Sequence, residues 1–233
     1  MLEVSGLQSS YGQSQVLFDV SLAVGKGEVA TLLGRNGMGK TTTIRTIMGL
    51  NRPKGGRVIF EGADVTGLSP DKIARRGIGL VPEGRQVFPT LTVRENLIAT
   101  AANRLARPNP WTMARVIELF PRLGERQEQL ARTLSGGELQ MLAIGRGLMT
   151  NPQLLIPAQA TAGHAPVIRA EIWACLARLK AEGQSILIVD KNLAVLKRFA
   201  DHHACVEKGR TVWTGSSADM ERDADIVHRY VGV

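Results

Sequence analysis

Apolar and polar positions alternate through the first quarter of the chain. Leu2-Glu3-Val4-Ser5-Gly6-Leu7 reads as a first strand, and Tyr11-Gly12 marks a turn. Val16 to Val24 predicts a second strand, with Phe18, Val20, Leu22 and Val24 on one face and Leu17, Asp19, Ser21 and Ala23 on the other. Gly25-Lys26-Gly27 turns the chain into a β-prone run, Val29 to Leu33. Lys54-Gly55-Gly56 reads as a turn before a short strand, Arg57 to Phe60. Together these make an N-terminal antiparallel β lobe.

The texture then changes. Ser69 and Pro70 stand at the cap and first position of a short helix through Arg75, and Ile78 to Val81 is a buried-strand candidate. From about residue 83 to 150 the pattern is helical, broken at Pro89, Pro108, Pro110 and Pro121. Thr92 and Glu95 have capping-box spacing, and Thr112 to Phe120 is amphipathic. Leu154-Leu155-Ile156 and Ser185 to Val189 are almost wholly apolar, as in parallel strands covered on both faces. Between them Ile168, Ile172, Leu176 and Leu179 share one helical face. Short strands around 203–207 and 210–214 and a final helix close the chain. The expected fold is one α/β domain over residues 1–233, with the helical segment inserted in its core.

One stretch gives this framework chemistry. Gly34-Arg35-Asn36-Gly37-Met38-Gly39-Lys40-Thr41 reads G-x-x-x-x-G-K-T, with a strand before it and the start of a helix after it. Backbone N–H groups of such a loop converge on an anion, and the helix dipole adds to the attraction. Gly34, Asn36, Gly37, Gly39, Lys40, Thr41 and Thr42 are therefore candidate contacts to the phosphates of a nucleoside triphosphate. Lys40 would reach the outer phosphates and the Thr41 hydroxyl would ligate Mg²⁺.

A second motif, Leu134-Ser135-Gly136-Gly137-Glu138 before the apolar helix Met141 to Ile144, is another anion-binding helix start. With it, the chain resembles the nucleotide-binding subunits of ABC transporters along essentially its whole length. Within them it looks most like the ATP-binding subunits of branched-chain amino acid importers. The matching words include Val81-Pro82-Glu83-Gly84-Arg85, Leu91-Thr92-Val93-Arg94-Glu95-Asn96-Leu97 and Glu118-Leu119-Phe120-Pro121-Arg122-Leu123. The resemblance implies a P-loop NTPase core of ABC type. Two such subunits, identical or not, would sandwich ATP between the P-loop of one and Ser135, Gly136 and Gly137 of the other. They would drive membrane permease subunits, indirectly served by a solute-binding protein, from the inner face of the cell membrane. It also implies that Tyr11 stacks on adenine, unless it only packs on the lobe, and that Glu83 occupies the position filled by glutamine in most of the family.

The departures from the family pattern fall on its chemistry. Where the family carries an Asp-Glu pair, for Mg²⁺ and for activating water, this chain has Ala158-Gln159, after Pro157. Losing a general base costs roughly 10²–10⁴ in rate. Losing an outer-shell metal partner costs roughly 10–100-fold in affinity or activity. Pro157 also removes a backbone donor at a strand end. Thr161-Ala162-Gly163-His164 alters the loop that follows, and Lys191 stands where most of the family has histidine. Lys191 is read equally as a γ-phosphate contact or a solvated loop lysine, and His164 as a loop residue rather than a replacement base.

Composition adds limits. The net charge of +8 comes from scattered basic residues, and the ten Phe, Trp and Tyr residues form no visible base-stacking platform. A solvated basic surface near a membrane is expected rather than a nucleic-acid partner. No apolar run nears the roughly 20 residues of a membrane span, and Met1-Leu2-Glu3-Val4 does not open a signal peptide, so the expected compartment is the cytoplasm. Cys175 and Cys205 follow no ligand spacing, and His202, His203 and His228 read as structural or surface residues. The leading expectation is an importer ATP-binding subunit whose own site binds ATP without turning it over. An ABC-fold regulatory or structural protein without transport, or an inactivated copy, is the alternative, and a P-loop kinase is disfavoured by the Ser-Gly-Gly loop.

Overall fold

The computed structural model describes residues 1–158, 161, 163, 165–190, 193–223, 225 and 229–230. The alternating N-terminal segments form β1 (Leu2–Tyr11) and β2 (Ser14–Val24), which pair antiparallel. The apolar run Val29–Leu33 is β3, buried at every residue, and leads through the glycine loop into α1 (Lys40–Ile47). Then come β4 (Pro53–Phe60), β5 (Ala63–Asp64), α2 (Pro70–Arg75) and β6 (Ile78–Val81). Residues 93–149 carry α3 (Val93–Ala99), α4 (Met113–Leu119), α5 (Pro121–Gly124) and α6 (Gly136–Met149). The chain closes with β7 (Leu154–Pro157), α7 (Pro166–Ala181), β8 (Ser185–Ile188), α8 (Leu193–Phe199), β9 (His202–Glu207), β10 (Arg210–Ser216) and α9 (Ser217–Arg222).

The strands follow the order β5-β4-β1-β2-β10-β9-β3-β8-β7-β6. The lobe β5-β4-β1-β2 is antiparallel, and β9-β3-β8-β7-β6 is parallel. A single parallel pairing, Arg210 with Asp19, joins β10 to β2. This is the α/β P-loop core with an N-terminal antiparallel lobe expected from the motifs. One apolar cluster unites α3 to α6 with one face of the parallel sheet and α7. A second lies between the antiparallel lobe, α1 and the other face.

Three local expectations are corrected. The face assignment in β2 holds at Val20, Leu22 and Val24 but reverses below them: Leu17 is buried and Phe18 exposed. A bulge causes the reversal, because Phe18 and Asp19 both donate their N–H to Gly209 O, at 2.8 and 3.1 Å. Lys54-Gly55-Gly56 is not a turn but part of β4, where a register shift opposite β1 absorbs the glycines. Ser69 is the N-cap of α2, yet its hydroxyl bonds Asp71 Oδ1 (2.6 Å) instead of a helix N–H. At α3 the expected capping box of Thr92 and Glu95 is present.

Candidate functional site

The glycine loop is clamped from behind. Gly34 has φ +138°, and a Cβ there would stand 2.3 Å from Val206 O of β9, so only glycine lets the loop leave β3 against its neighbour. At the turn between β9 and β10, Gly209 N–H donates to Met38 O (3.0 Å) and Lys208 N–H to Met38 S (3.4 Å). Lys208 and Gly209 both have positive φ, the geometry of a two-residue hairpin turn. Asn36 and Gly37 form the exposed crest of the loop, and Gly39 is the N-cap of α1. Having no side chain, Gly39 caps nothing, and the first N–H groups of α1 have no intrahelical acceptor. Lys40 Nζ arches back over the loop to Gly34 O (2.6 Å) and Arg35 O (2.8 Å). Thr43 and Thr46 bond carbonyls one turn back within α1. These donors and this lysine fit a polyphosphate.

Thr41 faces Glu83: its hydroxyl donates to Glu83 Oε2 at 3.5 Å. Both residues line a cavity of about 810 Å³ between α1, β6 and α6, and Ala158 lines it too. A hydroxyl and a carboxylate are hard oxygen donors of the kind Mg²⁺ takes alongside phosphate oxygens and water. Ala158 adds none. The site thus fits a metal held mainly by the nucleotide, with a carboxylate on the Glu83 side only.

Glu83 leads into strained backbone. Gly84, Arg85 and Gln86 have φ of +73°, +67° and +44° in succession. Left-handed non-glycine residues cost about 1–3 kcal/mol each, which neighbours must offset. Arg146 does so, donating to Gln86 O (2.7 Å) while its guanidinium lies 4.3 Å over the Phe88 ring.

Pro157 lies in a strand flanked on both sides, by β6 and β8. The β7–β8 ladder runs through Leu154–Ser185 and Leu155–Ile186, then lapses until the isolated bridge Ala158–Val189. Ala158 N–H points to β6, bonding Val81 O (3.0 Å), so the nitrogen before it faces β8. It is the proline nitrogen, and it has no hydrogen to give. Beyond the gap, Thr161 binds the buried Asp190 carboxylate through both its N–H (3.1 Å) and its hydroxyl. Gln159 and Lys191, together with Ala162, His164 and His228, lie outside the described residues.

Ser135 caps α6 in a capping box: its hydroxyl accepts from Glu138 N–H (3.3 Å), and Glu138 Oε2 accepts from Ser135 N–H (2.8 Å). Burial raises the Glu138 pKa, but the Ser135 bonds and Arg126, 2.8 Å away, outweigh it and hold the carboxyl below its usual range. The Arg85 guanidinium covers Gly136, and Ile168 of α7 covers Gly137. Ser135, Gly136 and Gly137 do not line the cavity that Thr41 and Glu83 share. Tyr11, at the end of β1, is 48 % exposed. Thr42, which follows the metal candidate, is buried within α1.

Sequence reasoning missed Lys208 and Gly209 as supports of the loop, because they reach Met38 across a long sequence separation that no motif spans. The histidine expectation holds among the described residues. His203 is buried, bonded to Thr31 Oγ1 (2.7 Å) and Ser217 Oγ (2.9 Å). Both thiols are buried, and burial pushes each pKa up to about 12.

A phosphate-binding loop on a parallel strand, an antiparallel lobe beside it and a capped Ser-Gly-Gly helix on a helical segment define a nucleotide-binding cassette. The chain belongs to the ABC transporter family, whose model matches residues 17–162. It is 40 % identical to the high-affinity branched-chain amino acid transport ATP-binding protein BraG of Pseudomonas aeruginosa, covering all of both chains. It is 31 % identical to the lipopolysaccharide export system ATP-binding protein LptB of Haemophilus influenzae, over all of this chain and 97 % of the relative. A crystal structure of a nucleotide-free ATP-binding cassette from an ABC transporter superposes with a TM-score of 0.84 at 28 % identity, over all of this chain and 99 % of that one. Among the described residues, no helix is long and apolar enough to cross a membrane.

Proposed function

We infer that this chain is the ATP-binding subunit of an importer for branched-chain or related amino acids. It would act at the inner face of the membrane on permease subunits that receive solute from a binding protein. The observation that carries this reading is the end-to-end identity with BraG, at 40 %, well above that with the export-system relative at 31 %. In the binding step, Lys40 and the N–H groups at the start of α1 take the triphosphate, and Tyr11 offers its exposed ring to the base. Thr41 and Glu83 would hold Mg²⁺, which would screen the charge of the phosphates.

The same residues support a division of labour. The Ala158 side chain cannot accept a hydrogen bond from a metal-bound water, and the Gln159 side chain is no base, so hydrolysis in this chain's own site is slow. The Ser135 end of α6 keeps its cap and its sequence. In a dimer with a second, non-identical ATP-binding subunit, it completes the site whose P-loop and base the partner supplies. ATP binding and hydrolysis measured on the purified chain, alone and with that partner subunit, test both halves. Hydrolysis by the chain alone at the rate of an intact cassette would refute the division of labour. Failure to bind Mg-ATP would refute the reading as a whole. Loss of branched-chain amino acid uptake on deleting the gene, restored by the wild-type copy, tests the solute.

A further inference from the structure

Tyr11 stands where the pairing of β1 with β4 runs out. The last pair is Ser9–Pro53, and Ser9 Oγ donates to Arg52 O (3.4 Å). Continued by two residues, that antiparallel register sets Asn51 across from Tyr11. Asn51 belongs to the turn that ends α1, and Arg45 of α1 holds it twice. Arg45 O accepts Asn51 N–H (3.2 Å), and Arg45 Nε donates to Asn51 Oδ1 (3.3 Å). The amide orientation is therefore fixed, with Nδ2 on the side away from the guanidinium. Asn51 is only 9 % exposed, and its Nδ2 finds no acceptor among the described residues. A buried donor left unpaired costs free energy, and a fixed one signals an acceptor that arrives later. The acceptor beside it is the exposed Tyr11 hydroxyl, close to Nδ2 but not in hydrogen-bond geometry with it. Burial raises the pKa of that phenol, yet Asn51, Thr42 and Arg45 around the hydroxyl outweigh it and hold the pKa below its ordinary value.

We propose that Asn51 is a positioning residue for the nucleotide base: when a purine stacks on Tyr11, the tyrosine hydroxyl accepts a hydrogen bond from Asn51 Nδ2 and locks the ring onto α1. This rests on reading Tyr11 as the base platform. The lock makes the platform and the phosphate cradle one body, because α1 carries Lys40 and Thr41 at one end and holds Asn51 at the other. Stacking alone needs only the ring, so phenylalanine would serve equally. The lock needs the hydroxyl.

The experiment compares ATP and inorganic triphosphate binding by calorimetry for wild type, Tyr11→Phe, Asn51→Ala, the double variant and Tyr11→Ala. One neutral hydrogen bond is worth about five-fold in affinity. Tyr11→Phe and Asn51→Ala are each expected to weaken ATP by about that factor, with the double variant no weaker than either. Inorganic triphosphate affinity stays unchanged throughout. The thermal stability of nucleotide-free Asn51→Ala falls by less than the loss in ATP affinity implies, since Nδ2 is only close to the hydroxyl there and makes no full hydrogen bond, whereas a merely structural asparagine would lower stability and leave ATP affinity alone. Tyr11→Phe, whose ring is exposed, keeps the test open if Asn51→Ala folds poorly. Wild-type ATP affinity in Tyr11→Phe, or a double variant weakened by the product of the single effects, overturns the lock while leaving stacking intact. Unchanged ATP affinity in Tyr11→Ala overturns the stacking itself, and the lock with it.

Discussion

Replacing Gly209 by alanine separates two penalties that usually travel together. Gly209 has φ +72°, and a Cβ there would stand 1.9 Å from Val16 O and 2.9 Å from its carbonyl carbon. The left-handed conformation alone costs a non-glycine residue about 1 kcal/mol. The collision is with main chain and is relieved only if the β2 bulge and the hairpin turn part. Parting them strains three bonds: Phe18 N–H and Asp19 N–H to Gly209 O, and Gly209 N–H to Met38 O. At about 1 kcal/mol each, their loss brings the total to about 4 kcal/mol, a large share of the stability of an ordinary domain. Gly12 supplies the control, because its φ is +57° with nothing within 4 Å of a Cβ. Urea denaturation should show Gly12→Ala down by about 1 kcal/mol and Gly209→Ala by about 4 kcal/mol. Because Met38 is in the glycine loop, the folded fraction of Gly209→Ala should also bind Mg-ATP at least about ten-fold more weakly in calorimetry, a loss of about 1.4 kcal/mol. Equal losses in the two variants, or wild-type ATP affinity in Gly209→Ala, would refute the idea that the hairpin turn holds the loop.

Three further outcomes are expected. The double change Ala158→Asp with Gln159→Glu should raise steady-state ATP hydrolysis by roughly 10²-fold or more; no gain would place the defect in the β7–β8 gap at Pro157 instead. His203 is depressed to about 4, first by burial and then by His202 and Lys197, with Asp201 opposing. The unfolded chain, at about 6.5, therefore takes up the proton first, and stability should fall by about 3 kcal/mol as pH drops from 6.5 to 4. His203→Gln should flatten that part of a urea-midpoint profile against pH. Cys175 and Cys205, with thiols near pKa 12, should resist iodoacetamide at pH 8 in the native protein and react only on unfolding, as read by mass spectrometry.

Much of the fold and part of the site could be read along the chain, and the boundary between the two is physical. Alternation fixed the antiparallel lobe, unbroken apolar runs fixed β3, β7 and β8, and capping residues fixed the starts of α3 and α6, because each of these is a relation between near neighbours. The glycine loop was legible for the same reason: eight consecutive residues carry its signature. The loss of the acid pair at 158 and 159 was likewise legible, since chemistry missing from a side chain needs no coordinates.

What failed, or stayed invisible, depended on partners distant in sequence. The reversal of faces at Leu17 and Phe18 is imposed by a carbonyl nearly 200 residues away, at Gly209. Lys54 to Gly56 carries turn chemistry, but β1 alongside makes it strand. Pro157 was expected to disturb a strand end; only the flanking strands show that the disturbance is a gap in one ladder, which resumes at Ala158 and Val189. Local sequence thus determined that this chain carries a phosphate-binding loop and has Ala158 and Gln159 where the family pattern has an acid pair. Tertiary structure decided what holds the loop, that Glu83 stands beside Thr41 in a cavity with Ala158, and that Asn51 is buried and held by Arg45. Hydrogen-bonding periodicity acts over a few residues, while close packing joins whichever surfaces the topology brings together.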